Sequence, residues 1–207
     1  MHFTLHLAKK RLGRFATAIS DWAIFIGFIL IVGLGSSWYM VSSGSALTTR
    51  SEGAWVSWTA AGRTDADPYT RAHFARIGTL DLTTEIAGTY IARSDDDGLN
   101  LHSSCEYRIT GGEIDASWWS ITAFDDVGRL IPNPVDRHAF TSETVAVSPD
   151  GTFVITLARD ARAGNWLPTG GAGRLALALT IVEGASSIVS GSEPEYELPQ
   201  IARVQCR

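Results

Sequence analysis

Beyond Lys10 the chain contains no lysine. A P-loop needs a lysine on the phosphates and a Schiff-base enzyme needs one as nucleophile, so both are excluded after that position. There is no Gly-x-Gly-x-x-Gly, no Gly-x-Ser-x-Gly elbow and no His-Glu-x-x-His. A Cys-x-x-Cys pair is also missing. These absences argue against nucleotide, α/β-hydrolase, zincin and dithiol redox chemistry. Basic charge is scarce as well: residues 22–207 hold 13 arginines against 21 acids, a net of −8. Nucleic acid calls for a basic footprint, so it is not an expected partner. Charge alone equally fails to grip anionic lipid or a polyanionic glycan. Internal repeats and low-complexity segments are lacking too.

Against these absences stands one long apolar run, Trp22–Val41, with no charged side chain. As a helix it spans about 30 Å, the thickness of a bilayer's hydrocarbon core. Lys9, Lys10, Arg11 and Arg14 precede it. This charge asymmetry places the N-terminus in the cytoplasm and the rest across the membrane. A cleaved signal is the competing reading: Ala23–Gly35 suits its apolar run and Gly44-Ser45-Ala46 a cleavage site. The long basic region and the aromatics at both ends, Trp22 and Trp38-Tyr39, favour an uncleaved anchor. The tail from His2 to Ala18 reads as an orientation signal, with a basic amphipathic helix on the inner leaflet as the alternative.

The expected organisation is a basic tail at 1–21, a transmembrane helix at 22–41, a linker at 42–50 and one domain at 51–207. Glu52–Ala61 has helical character, with Trp55 and Trp58 on one face. Asp67 as N-cap, Pro68 at the first position and Gly78 as stop predict a helix between them. Short strands follow: Thr84–Ala92, Leu101–Ile109, Trp118–Phe124, Glu143–Val147, Thr152–Arg159, Arg174–Val182 and Gln200–Gln205. Turn signals separate several of them, notably Asp97-Gly98 and Pro149-Asp150-Gly151. The predicted fold is mainly β: an antiparallel jelly-roll-like sandwich behind one or two short helices and the transmembrane helix. Cys105 and Cys206 are the only cysteines. In an exported domain such a pair reads as a disulfide, with two separate buried thiols as the alternative.

DPYTRAHFARIG at 67–78, the Tyr90, Asp97-Gly98 and Cys105-Glu106-Tyr107 run, WWSITAFDDVGRLIPNP at 118–134 and GNWLP at 164–168 resemble one bacterial family. It is domain-of-unknown-function family 1214, found in Gram-negative envelopes and often beside a companion family numbered 1254. The resemblance covers about residues 65–207. It implies a jelly-roll-like sandwich behind a membrane anchor, hence a single-pass inner-membrane protein with a periplasmic domain. Leu177-Ala178-Leu179-Thr180 replaces the arginine and tyrosine that the family often carries there. The family brings no established activity.

Candidate residues are few. Asn165 and Trp166 form the most deliberate pattern, an amide to orient a ligand beside a ring to stack it, or else a plug at the end of the sandwich. Tyr69, Arg71 and His73 on the predicted helix complete the candidate binding set. His73, His102 and His138 are the domain's histidines; their spacing does not force a metal site. The acids Asp95, Asp96 and Asp97 lack the EF-hand order and read as a solvated turn. Trp118 and Trp119 should face opposite ways on their strand. No cofactor or metal is expected. The expected role is a non-enzymatic envelope module binding a small molecule, a glycan or a partner protein. An envelope hydrolase or lyase using Asp125 with Arg71 or His73, and a structural protein, are the alternatives.

Overall fold

A computed structural model describes residues 2–84, 86–182 and 196–207, with side chains from residue 20 onward. The chain divides into two units, residues 1–45 and 46–207. The first is a single helix, α1 (His2–Ser43). Within it Ser20–Ser43 forms a 24-residue stretch of mean hydropathy 2.0 whose side chains are not buried. Length and composition suit a membrane anchor or a signal sequence. Ser36 Oγ donates to the Gly33 carbonyl at 3.1 Å, which satisfies a hydroxyl inside an apolar helix. The expected linker is shorter than 42–50, because α1 continues to Ser43 and residues 49 and 50 already pair in a sheet. The tail cations have no described side chains.

The second unit is mainly β, built from two sheets. One has six strands: β1 (Thr49–Glu52), β2 (Trp55–Trp58), β3 (Ala87–Ala92), β9 (Leu175–Val182), β5 (Trp118–Asp125) and β6 (Ala139–Thr141), in that spatial order. The other has β10 (Gln200–Cys206), β4 (Cys105–Gly111), β7 (Phe153–Ala158) and β8 (Asn165–Pro168). All neighbours are antiparallel except β7 and β8, which run parallel. That pair corrects the all-antiparallel expectation.

Alternation builds the core between the sheets. Leu175, Leu177, Leu179 and Ile181 of β9 point inward with Trp119, Ile121 and Ala123 of β5. Tyr107 and Ile109 of β4 and Phe153, Ile155 and Leu157 of β7 meet them from the other sheet. Trp119 stacks on Phe153 at 4.8 Å across the interface. Gly111 makes room for that ring, since a Cβ there would lie 2.5 Å from Phe153 Cζ. Trp118 is half-buried on the opposite face, as the strand period requires.

Two segments differ from the sequence expectation. Residues 52–61 are not helical: Gly53, at φ +55°, turns β1 into β2 and puts Trp55 and Trp58 on opposite faces. Trp55 enters the core, where its Nε1 donates to the Pro199 carbonyl at 2.6 Å; Trp58 stays outside. Glu143–Val147 is a turn rather than a strand. Thr141 begins it by accepting from the backbone of Thr144 and Val145, and only Val147 bridges to Phe153. The helix α2 (Pro68–Ile77) forms as expected. Asp67 accepts from the Tyr69 and Thr70 amides, and Gly78 closes the helix at φ +74°.

Register fixes two ends of the six-stranded sheet. Thr49, Trp58, Val182 and Trp118 lie at the end where the chain enters the domain. Glu52, Ala92, Leu175 and Asp125 lie at the far end.

Candidate functional site

The expected binding residues fall on two different elements. Asn165 and Trp166 are on β8, at the edge of the four-stranded sheet, and both are buried. Asn165 Oδ1 accepts from the Ala146 amide at 2.8 Å, while Nδ2 donates to the carbonyls of Ala146 at 2.8 Å and Val154 at 3.0 Å. The amide therefore ties the start of β8 to the Ala146 segment and to β7. Trp166 Nε1 donates to the Ala158 carbonyl at 3.0 Å, and its own carbonyl accepts from Arg137 at 3.1 Å.

Tyr69, Arg71 and His73 are on α2. His73 stacks on Trp58 at 4.1 Å, with Phe74 edge-on to both rings. Tyr69 is half-buried and Arg71 exposed. Burial raises the pKa of Asp81, and the neighbouring His73 offsets part of that rise.

The histidines do not converge. His102 Nδ1 lies 2.8 Å from Ser104 Oγ, and His138 Nε2 lies 3.1 Å from Asp136. No group of metal-ligating side chains occurs among the described residues. Asp125 Oδ1 accepts from the Val127 and Arg129 amides in its turn. Ile121 of β5 is level across the sheet with Ser57, next to the Trp58 that stacks on His73, so Asp125 lies four residues, about 13 Å of strand, further along. The proposed acid–base pairing with Arg71 or His73 does not form.

The Asp95–Asp97 segment is a turn in which Asp96 and Asp97 are exposed as expected, whereas Asp95 is not. Asp95 is buried, its Oδ1 accepting from Leu99 N at 2.8 Å and its Oδ2 lying 2.8 Å from Arg203 Nε. Asp96 accepts from Ile201 N at 2.7 Å. These acids fasten β10 to the loop after β3.

A cleft opens where β4 begins and where β7 and β10 end. Its cavity volume is about 80 Å³. Cys105, which lines it, is joined by a disulfide to the directly opposed Cys206 of β10. Arg159, Arg162 and Arg207 line it, with Glu106, Asp160, Ser103 and Gln205. Residues 101–103 bond to Gly173 and Leu175, which sets this cleft at the far end. Arg162 Nη2 donates to Glu106 Oε2 at 2.7 Å, and Gln205 Nε2 donates to the same oxygen at 3.2 Å. These bonds, Arg162's first, hold Glu106 below the ordinary glutamate pKa and raise that of Arg162. Arg207 pairs with Asp160. Arg159 is exposed and has no ion pair among the described residues. Three guanidiniums thus face two carboxylates, an excess of cation in a domain whose overall charge is acidic. Nothing in the spacing of positions 159, 162 and 207 announced this cluster; the disulfide that gathers them was the available signal.

Residues 87–185 match the family model described as a protein of unknown function, DUF1214. By this match the segment is similar to the DUF1214 family. The match takes in the motifs at 118–134 and 164–168, whereas the Tyr69-Thr70-Arg71 motif lies before it. No curated protein matches the chain. Among solved structures, the VPA0106 protein from Vibrio parahaemolyticus is 23% identical with a TM-score of 0.55, over 68% of this chain and 36% of that one. An uncharacterised protein from Burkholderia cenocepacia is 18% identical with a TM-score of 0.44, over 87% of this chain and 42% of that one. The chain therefore spans well under half the length of either. The likeness to the Vibrio protein is one of fold alone, and neither likeness carries an activity.

Proposed function

We propose that this is a single-pass inner-membrane protein of the bacterial envelope with its jelly-roll-like domain in the periplasm. In this reading Ser20–Ser43 is an uncleaved anchor, and the β domain is a non-catalytic binding module. The observation that carries it is the arginine cleft at the far end of the domain. Its ligand is a small anion, a carboxylate- or phosphate-bearing molecule such as the acidic end of a glycan. Arg159 supplies an uncommitted guanidinium, and planar guanidiniums match carboxylate and phosphate in bidentate geometry. Arg162 and Arg207 are pre-positioned by Glu106 and Asp160, which lowers the ordering cost of binding. Asn165 and Trp166 serve as scaffold.

Support for the jelly-roll detail comes from the strand order. β3, β9 and β5 are neighbours although far apart in sequence, so the intervening chain crosses between sheets as in a Greek key. The test is a melting-temperature screen of the full chain in lipid nanodiscs. Glucuronate and inorganic phosphate should raise the melting temperature while neutral sugars do not. An unchanged melt with every anion contradicts the reading.

A further inference from the structure

Large apolar side chains collect in solvent at the entry end of the β domain. Leu47 is 86% exposed, Leu80 is 101% exposed and Leu82 is 58% exposed, and Ile77 at the end of α2 is 48% exposed. They come from separate segments, and their neighbours bring them together. Thr59 donates through both N and Oγ1 to the Thr48 carbonyl, at 3.1 and 3.2 Å, so residue 47 adjoins the turn after β2. Gly62 in that turn lies under the 81–82 segment so closely that a Cβ would come within 2.5 Å of the Leu82 carbonyl. The Trp58–His73 stack ties α2 to the same end. A single exposed leucine calls for no explanation, but a group of them at one end does.

We propose that this apolar fringe inserts into the headgroup region of the bilayer that holds the anchor. The proposal rests on the reading of Ser20–Ser43 as an uncleaved transmembrane helix. Leu47 follows the last helical residue, Ser43, by four positions. Four residues reach at most about 14 Å when extended. Leu47 therefore stays near the membrane surface whatever orientation the domain adopts, and the rest of the fringe adjoins it. Apolar side chains at a membrane surface bury about 5–10 Å into the boundary between headgroups and chains. Arg71, exposed on α2, gives the same end a guanidinium for lipid phosphate. Docking by the fringe turns the arginine cleft, at the opposite end, away from the membrane.

The experiment places a polarity-sensitive fluorophore at Leu80→Cys in the full chain, reconstituted into vesicles of phosphatidylethanolamine and phosphatidylglycerol. The disulfide keeps Cys105 and Cys206 from labelling. Val127→Cys, in the exposed turn after β5, serves as the far-end control. Emission at position 80 should shift to the blue and be quenched by brominated lipid, while position 127 stays solvent-like. Leu82→Asp added to the labelled chain should reverse the shift. Chain that floats with vesicles but reports the same polarity at both positions overturns the docking while leaving the anchor intact. Chain that does not float with vesicles overturns the anchor, and the docking with it. A blue shift that vanishes when the protein is diluted in lipid identifies a second copy as the occupant and also overturns the proposal.

Discussion

Asn165→Ala removes one side chain that makes three hydrogen bonds to backbone, two to Ala146 and one to Val154. A net value of about 1 kcal/mol per bond gives a loss of about 3 kcal/mol. For a domain of this size that corresponds to a fall of about 6–12 °C in melting temperature. Thermal unfolding of the full chain in detergent, followed by tryptophan fluorescence, measures it. Asn165→Asp should also destabilise, because its carboxylate keeps the Ala146 amide bond but opposes two carbonyls. If Asn165 served a ligand instead, truncation would leave the melt almost unchanged and abolish binding. A shift of about 1 °C or less would refute the claim that this amide holds the start of β8 to the Ala146 segment and β7.

Further outcomes follow from the same geometry. Arg203→Ala leaves the buried Asp95 carboxylate without its cation and should cost about 3–5 kcal/mol, read from urea unfolding. Replacing Cys105 and Cys206 together by serine opens a loop of 101 residues and should cost about 4–5 kcal/mol in the chain-entropy account. The folded pKa of Glu106 lies below its unfolded value, so its contribution is complete above about pH 4.3. It is lost as pH falls through the folded value. An acid titration should show this, and Glu106→Gln should reduce the slope.

Much of the fold was legible because it rests on local rules. Asp67, Pro68 and Gly78 mark α2 by chemistry that acts within a few residues, and the apolar run of β9 marks a strand covered on one face and crowded on the other. The β1–β2 hairpin was hidden because Trp55 and Trp58 are three apart, a spacing shared by one helix face and by two strand faces. Only Gly53, in a left-handed turn, separates the alternatives. The parallel β8 was hidden because its four residues read as a binding motif. Its start is held by the Asn165 side chain bonding to backbone, which no periodicity encodes. Asp95 looked solvated since its partner, Arg203, is more than a hundred residues away. The arginine cleft was invisible for the same reason: net charge averages over a surface, whereas a fold gathers particular residues at one end.

The most direct test of the binding reading is isothermal titration of the full chain in nanodiscs with glucuronate, beside an Arg159→Ala variant. Arg159 is exposed and outside the core, so its loss should leave the melt unchanged. The account predicts saturable binding that weakens with added salt, as expected for exposed guanidiniums, and is lost in the variant. Absence of heat at any glucuronate concentration, or equal binding by both proteins, would contradict it.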